Sequence, residues 1–113
     1  MKDLAPNIHR QRLVIEGYQK DHITDTKIKE YLSLLSKKID MQELIEPVTH
    51  MSDLYGWAGW IHWETSGAHF YSWDRPLQFF SVDIYTCKAF SSEDAVAFTK
   101  EFFETTEIVY KDF

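Results

Sequence analysis

The chain has 113 residues, 44% hydrophobic and 16% aromatic, enough for one folded core in a single domain over 1–113 and too apolar for a disordered chain. Its formal net charge of −6 argues against a nucleic-acid partner, because phosphate binding needs a basic face. No apolar run approaches the ~20 residues of a membrane span, the opening MKDLAPNIHRQR has no apolar stretch of the signal-peptide kind, and a lone cysteine fits a reducing cytoplasm.

Arg12 to Tyr18 (RLVIEGY) reads as a first strand, followed by a polar break over 21–26. From Asp25 or Thr26 to Ile39, apolar Ile28, Tyr31, Leu32, Leu35 and Ile39 recur at helical spacing. Leu44 to His50 is expected to be a second strand, with Pro47 marking an edge or bulge. Trp57 to Glu64 is a third, with Trp57, Gly59, Ile61 and Trp63 on one side and Ala58, Trp60, His62 and Glu64 on the other. Thr65-Ser66-Gly67 interrupts it, with Gly67 free to make the turn, and Ala68 to Trp73 continues in extended form. Asp74-Arg75-Pro76 turns the chain into the strongest strand, Phe79 to Cys87. Ser91 caps a helix carrying Ala95, Phe98, Phe102 and Phe103, and Ile108 to Tyr110 closes the order β-α-β-β-β-β-α-β. That order implies an α+β two-layer sandwich, a mainly antiparallel sheet with both helices on one face. The other face then needs a cover. A second copy is the simplest, and the four tryptophans, Trp57, Trp60, Trp63 and Trp73, are expected to serve that homodimer.

Taken singly, the polar candidates are ordinary. A serine between Thr65 and Gly67 at a strand break is a turn residue, and no G-x-S-x-G elbow surrounds it. His69 and Tyr71 alternate on one strand face, and Cys87 ends a strand. His9, His22, His50, His62 and His69 show no metal-ligand spacing, so no metal is expected.

Taken together, RLVIEGY, HMSDLYGWAG, the Ser66 segment through Trp73, and VDIYTC resemble the small pyruvoyl-dependent S-adenosylmethionine decarboxylases of bacteria and archaea. The resemblance covers about residues 9 to 110. It implies that Ser66 attacks the carbonyl of Thr65 and that β-elimination leaves a pyruvoyl cofactor on the new N-terminus. The pyruvoyl would form a Schiff base with the substrate amine and act as electron sink for decarboxylation of S-adenosylmethionine, on the route to spermidine and other polyamines. Cys87 falls on the family's proton donor, and Glu16 near an acidic residue that supports the site. Trp73, Asp74 and Met51 fall at the substrate, where aromatic rings suit both adenine and a sulfonium cation.

Several motif positions differ. Thr65 stands for a glutamate, Gly67 for a histidine, Ala58 for a serine, and Tyr71 for the histidine that takes the serine α-proton, so His69 or Tyr71 must stand in as base. Two other readings follow from these differences. One is an unprocessed relative that regulates or binds a decarboxylase paralogue; the other is a pyruvoyl enzyme acting on another amine or amino acid.

Overall fold

Leu13, Ile15 and Gly17 are buried along the first strand while Arg12, Glu16 and Tyr18 are exposed, an alternation that needs a covering layer on one side only. The computed structural model, which describes residues 2–113, shows that layer. The order is β1 (Gln11–Tyr18), α1 (Asp25–Lys38), β2 (Val48–Ser52), β3 (Gly56–Trp63), β4 (Ser66–Trp73), β5 (Phe79–Thr86), α2 (Ser92–Phe103) and β6 (Glu107–Asp112). The strands form one six-stranded sheet, β2-β3-β4-β5-β1-β6, with every neighbouring pair antiparallel. Both helices pack on the same face, and the α+β two-layer sandwich expected from the element order is the observed one.

The helices start where side-chain oxygens accept otherwise unpaired backbone donors. Thr24 Oγ1 accepts from Lys27 N–H at 3.3 Å, one residue before the expected start. Ser91 Oγ accepts from Asp94 N–H at 3.1 Å, as its spacing predicts. Between helices and sheet, Tyr31 packs against Phe70, Phe98, Phe102 and Phe103 with ring centroids 4.8 to 5.6 Å apart. The Tyr31 hydroxyl donates to Thr99 Oγ1 at 2.7 Å, and Thr99 Oγ1 in turn donates to the Ala95 carbonyl. Burial pushes the Tyr31 phenol above its ordinary pKa. Gly59 lets α1 approach β3, since a Cβ there would sit 2.7 Å from Ile28 Cγ2.

Three local expectations change. The second strand begins at Val48 rather than Leu44, because the segment before Pro47 runs along β3 through an isolated Glu43–Trp63 bridge. Ser66 and Gly67 belong to β4 instead of interrupting the chain, since Trp63 pairs directly with Ser66 and His62 with Gly67. The four tryptophans do not share a face. Trp63 is fully buried beneath α1, its Nε1–H donating to Ser36 Oγ at 2.7 Å, and Trp57 packs against the same core; Trp60 and Trp73 lie on the open side.

Candidate active site

Glu64 and Thr65 form the tip of the β3–β4 hairpin, and this tip is held from both sides. On one flank Leu44 N–H donates to the His62 carbonyl at 2.9 Å and Glu64 N–H to the Gln42 carbonyl at 3.0 Å. On the other, Cys87 N–H donates to the Thr65 carbonyl at 2.9 Å, just beyond the end of β5. Below the tip, Thr86 Oγ1 lies 3.0 Å from Thr65 Oγ1, which lies 3.3 Å from Met41 Sδ. Within this clamp Ser66 has φ of +116°, a conformation that non-glycine residues adopt only under constraint, at a cost of about 1–3 kcal/mol. The positive φ falls on Ser66, not on Gly67 as the sequence suggests. Gly67 is needed for a different reason: a Cβ at that position would stand 2.3 Å from the Ile61 carbonyl oxygen. The strained residue is thus the one whose hydroxyl is in question, and the carbonyl preceding it already accepts a hydrogen bond.

Ser66 lines an open cleft of about 530 Å3 on the face without helices. Cross-strand register sets its floor. Trp60, His69 and Asp83 lie side by side on β3, β4 and β5, and His62, Gly67 and Tyr85 form the next row toward the hairpin tip. Arg12 on β1 grips Asp83 with two hydrogen bonds, at 3.0 and 2.9 Å. The carboxylate makes the Arg12 guanidinium harder to deprotonate than usual. His69 Nδ1 lies 3.0 Å from the Tyr71 hydroxyl, so these two predicted residues are coupled to each other. Tyr71 itself stands in the row of Ala58 and Ser81, farther from the hairpin. The Cys87 thiol is free and exposed beside the tip.

The remaining candidates lie elsewhere. Trp73 stacks on Phe79 with centroids 4.6 Å apart and also meets Tyr71 at 5.9 Å, continuing the aromatic face to the far end of β4. Asp74 Oδ1 is 3.0 Å from His22 Nδ1, which ties the β4–β5 turn to the loop before α1. Glu16 lines a separate cavity of about 180 Å3 with Tyr18, Phe79 and Glu107. In register it shares a row with Ser81 and Tyr71, so it reaches the aromatic face and not Ser66. Met51 is paired with Trp57 on edge strand β2, on the helix side of the sheet.

The family model for S-adenosylmethionine decarboxylase matches residues 11–113, from the start of β1 to the end of the chain. The chain belongs to the S-adenosylmethionine decarboxylase family. Its fold is also similar to the crystal structure of the adenosylmethionine decarboxylase from Aquifex aeolicus VF5, with a TM-score of 0.78 over 94% of this chain and 89% of that one. At 16% identity that second likeness speaks for the fold alone. No curated protein matches the chain by sequence.

Within this decarboxylase-family fold, His62 is a cleft residue that the sequence alone does not mark as a candidate. Its alternation with Trp60 is legible, but its placement against Gly67 depends on a two-residue hairpin loop where the sequence suggests a three-residue break. A two-residue loop between Trp63 and Ser66 is the signal that would have found it. Among the described residues, no three His, Cys, Asp or Glu side chains converge as metal ligands, and no helix is long and apolar enough to cross a membrane.

Proposed function

We propose that this chain decarboxylates S-adenosylmethionine by way of a pyruvoyl group that it generates from Ser66, serving spermidine and other polyamine synthesis in the cytoplasm. One observation carries the reading: Ser66 is strained at φ +116° next to a Thr65 carbonyl that the Cys87 N–H already holds at 2.9 Å. Attack by Ser66 Oγ turns that carbonyl oxygen into an oxyanion, and a preplaced backbone donor stabilises the charge without reorganisation. Cleavage of the Thr65–Ser66 bond also releases the backbone strain, so part of the driving force is built into the fold. The residues present therefore fit the group.

Once formed, the pyruvoyl group supplies the electron sink for loss of carbon dioxide. The chain's own residues do the rest. The Cys87 thiol, free and exposed, returns a proton to the carbon that lost its carboxylate. Trp60, Tyr71 and the Trp73–Phe79 stack offer ring faces to an adenine and to a sulfonium cation. A second copy of the chain covers this open face, making the working unit a homodimer.

Intact mass measured over days at neutral pH tests the proposal. Two fragments divided before Ser66, absent in Ser66→Ala, are the expected result. One persistent full-length mass would overturn it and assign the chain to a binding or regulatory role.

A further inference from the structure

The proposed processing needs a base that the predicted residues do not provide in place. The ester formed by Ser66 breaks only when the Ser66 α-proton is removed, and that base must stand close to Ser66 Cα. Tyr71 is five residues along β4, roughly 17 Å at strand spacing, and its hydroxyl is engaged with His69 Nδ1. His69 is three residues along, roughly 10 Å. A phenol, with an ordinary pKa of ~10, is also a weak base near neutrality.

His62 is differently placed. It is the antiparallel partner of Gly67, the residue bonded to Ser66, so its Cα stands roughly 6–7 Å from that of Ser66 across the narrow hairpin. Its side chain is exposed on the open face, and His62 and Ser66 line the same cleft. Its backbone is fixed from outside by the Leu44 N–H on the His62 carbonyl, at 2.9 Å. An imidazole is the side chain whose ordinary titration lies nearest neutral pH.

We propose that His62 is the base of the elimination step, acting from the strand opposite Ser66. This inference rests on the pyruvoyl reading above. Ser66 Oγ adds to the Thr65 carbonyl, the Thr65–Ser66 C–N bond breaks, and the nitrogen takes up the proton that the Ser66 hydroxyl lost and leaves as a free amine; Thr65 is then held as an ester on Ser66 Oγ. His62 takes the Ser66 α-proton while the Cβ–Oγ bond breaks, and Thr65 leaves as a C-terminal carboxylate. The remaining dehydroalanine tautomerises to an imine, and one water hydrolyses it to the pyruvoyl group with release of ammonia.

Hydroxylamine separates the two halves, because it cuts the ester without any α-proton being removed and leaves a fragment beginning with free serine. Unmodified protein, His62→Gln, His69→Gln and Ser66→Ala are followed by intact mass with and without hydroxylamine. His62→Gln should lose unassisted cleavage by roughly 10²- to 10⁴-fold while keeping hydroxylamine-dependent cleavage, which also reports an intact hairpin. His69→Gln should process like the unmodified protein. Unchanged processing in His62→Gln, or its loss in His69→Gln alone, would overturn the assignment. Unmodified protein that cleaves only with hydroxylamine would also overturn it, leaving the acyl shift standing. If no protein is cleaved either with or without hydroxylamine, the pyruvoyl reading itself fails and this assignment falls with it.

Discussion

The backbone N–H of Cys87 donates to the carbonyl oxygen of Thr65 at 2.9 Å, joining the end of β5 to the tip of the β3–β4 hairpin. The residue that the resemblance marks for its thiol therefore also acts through its main chain, and the two roles separate under substitution. Cys87→Ala removes the sulfur and keeps the donor. Its self-cleavage should stay far inside the ~10²–10³-fold loss that follows removal of an oxyanion donor, while productive turnover of S-adenosylmethionine stops. Fragment yield and product formation, measured side by side, check this; full turnover would take the thiol out of the mechanism.

Strain at Ser66 is open to a thermal melt. Glycine tolerates φ of +116° and alanine does not, so Ser66→Gly should be more stable than Ser66→Ala by about 1 kcal/mol. For a domain near 100 residues that is a difference in Tm of roughly 4–8 °C. Neither variant can cleave, which keeps the comparison clean. Equal melting temperatures would show that the hairpin holds Ser66 without strain.

Beneath α1, Trp63 Nε1–H donates to Ser36 Oγ, which in turn donates to the Leu32 carbonyl at 2.8 Å. Ser36→Ala leaves the indole N–H buried and unpaired, at a cost of about 1–3 kcal/mol. Urea unfolding should show a lower midpoint with an unchanged slope. A loss below a few tenths of a kcal/mol would mean that the indole finds another partner.

Tyr31 gives the fold an alkaline limit. Its pKa is raised in the folded state, so the unfolded chain loses this proton first as pH climbs. The stability linked to it is fully present below the ordinary tyrosine pKa of ~10 and declines above that value. Tyr31→Phe should cost about 0.5–1.5 kcal/mol at neutral pH for the lost bond to Thr99, yet flatten the decline between pH 9 and 11. Parallel pH profiles for the two proteins would contradict this.

The open sheet face tests the dimer. Trp60 lies there in the row of His69 and Asp83, so Trp60→Glu places a charge on the surface that the proposed dimer would bury. Light scattering at micromolar concentration should show a dimer for the unmodified protein and a monomer for the variant. A monomer in both would leave the face to another occupant.

The layer architecture was legible because periodicity is local. Ile28, Tyr31, Leu32 and Leu35 show a helix face without reference to any other segment, and the alternation in β3, β4 and β5 divides each strand into two faces. Ser66 and Cys87 were also legible as candidates, through the family resemblance of the segments that carry them, and His69 as a stand-in base on the strand face of Tyr71. Three features were not. Ser66 takes the positive φ, although glycine stands beside it, because the 42–44 segment, Thr86 and Cys87 hold the hairpin tip, and those contacts join parts of the chain far apart in sequence. Trp63 turns inward while Trp60 stays open, because Ser36 on α1 supplies the partner that a buried indole requires. His62 meets the Ser66 segment only through the register of β3 against β4, and a one-residue slip would have turned it to the other face. Local propensity determined which elements form and how each divides into two faces; hydrogen bonds between distant segments decided which side chains stand around Ser66.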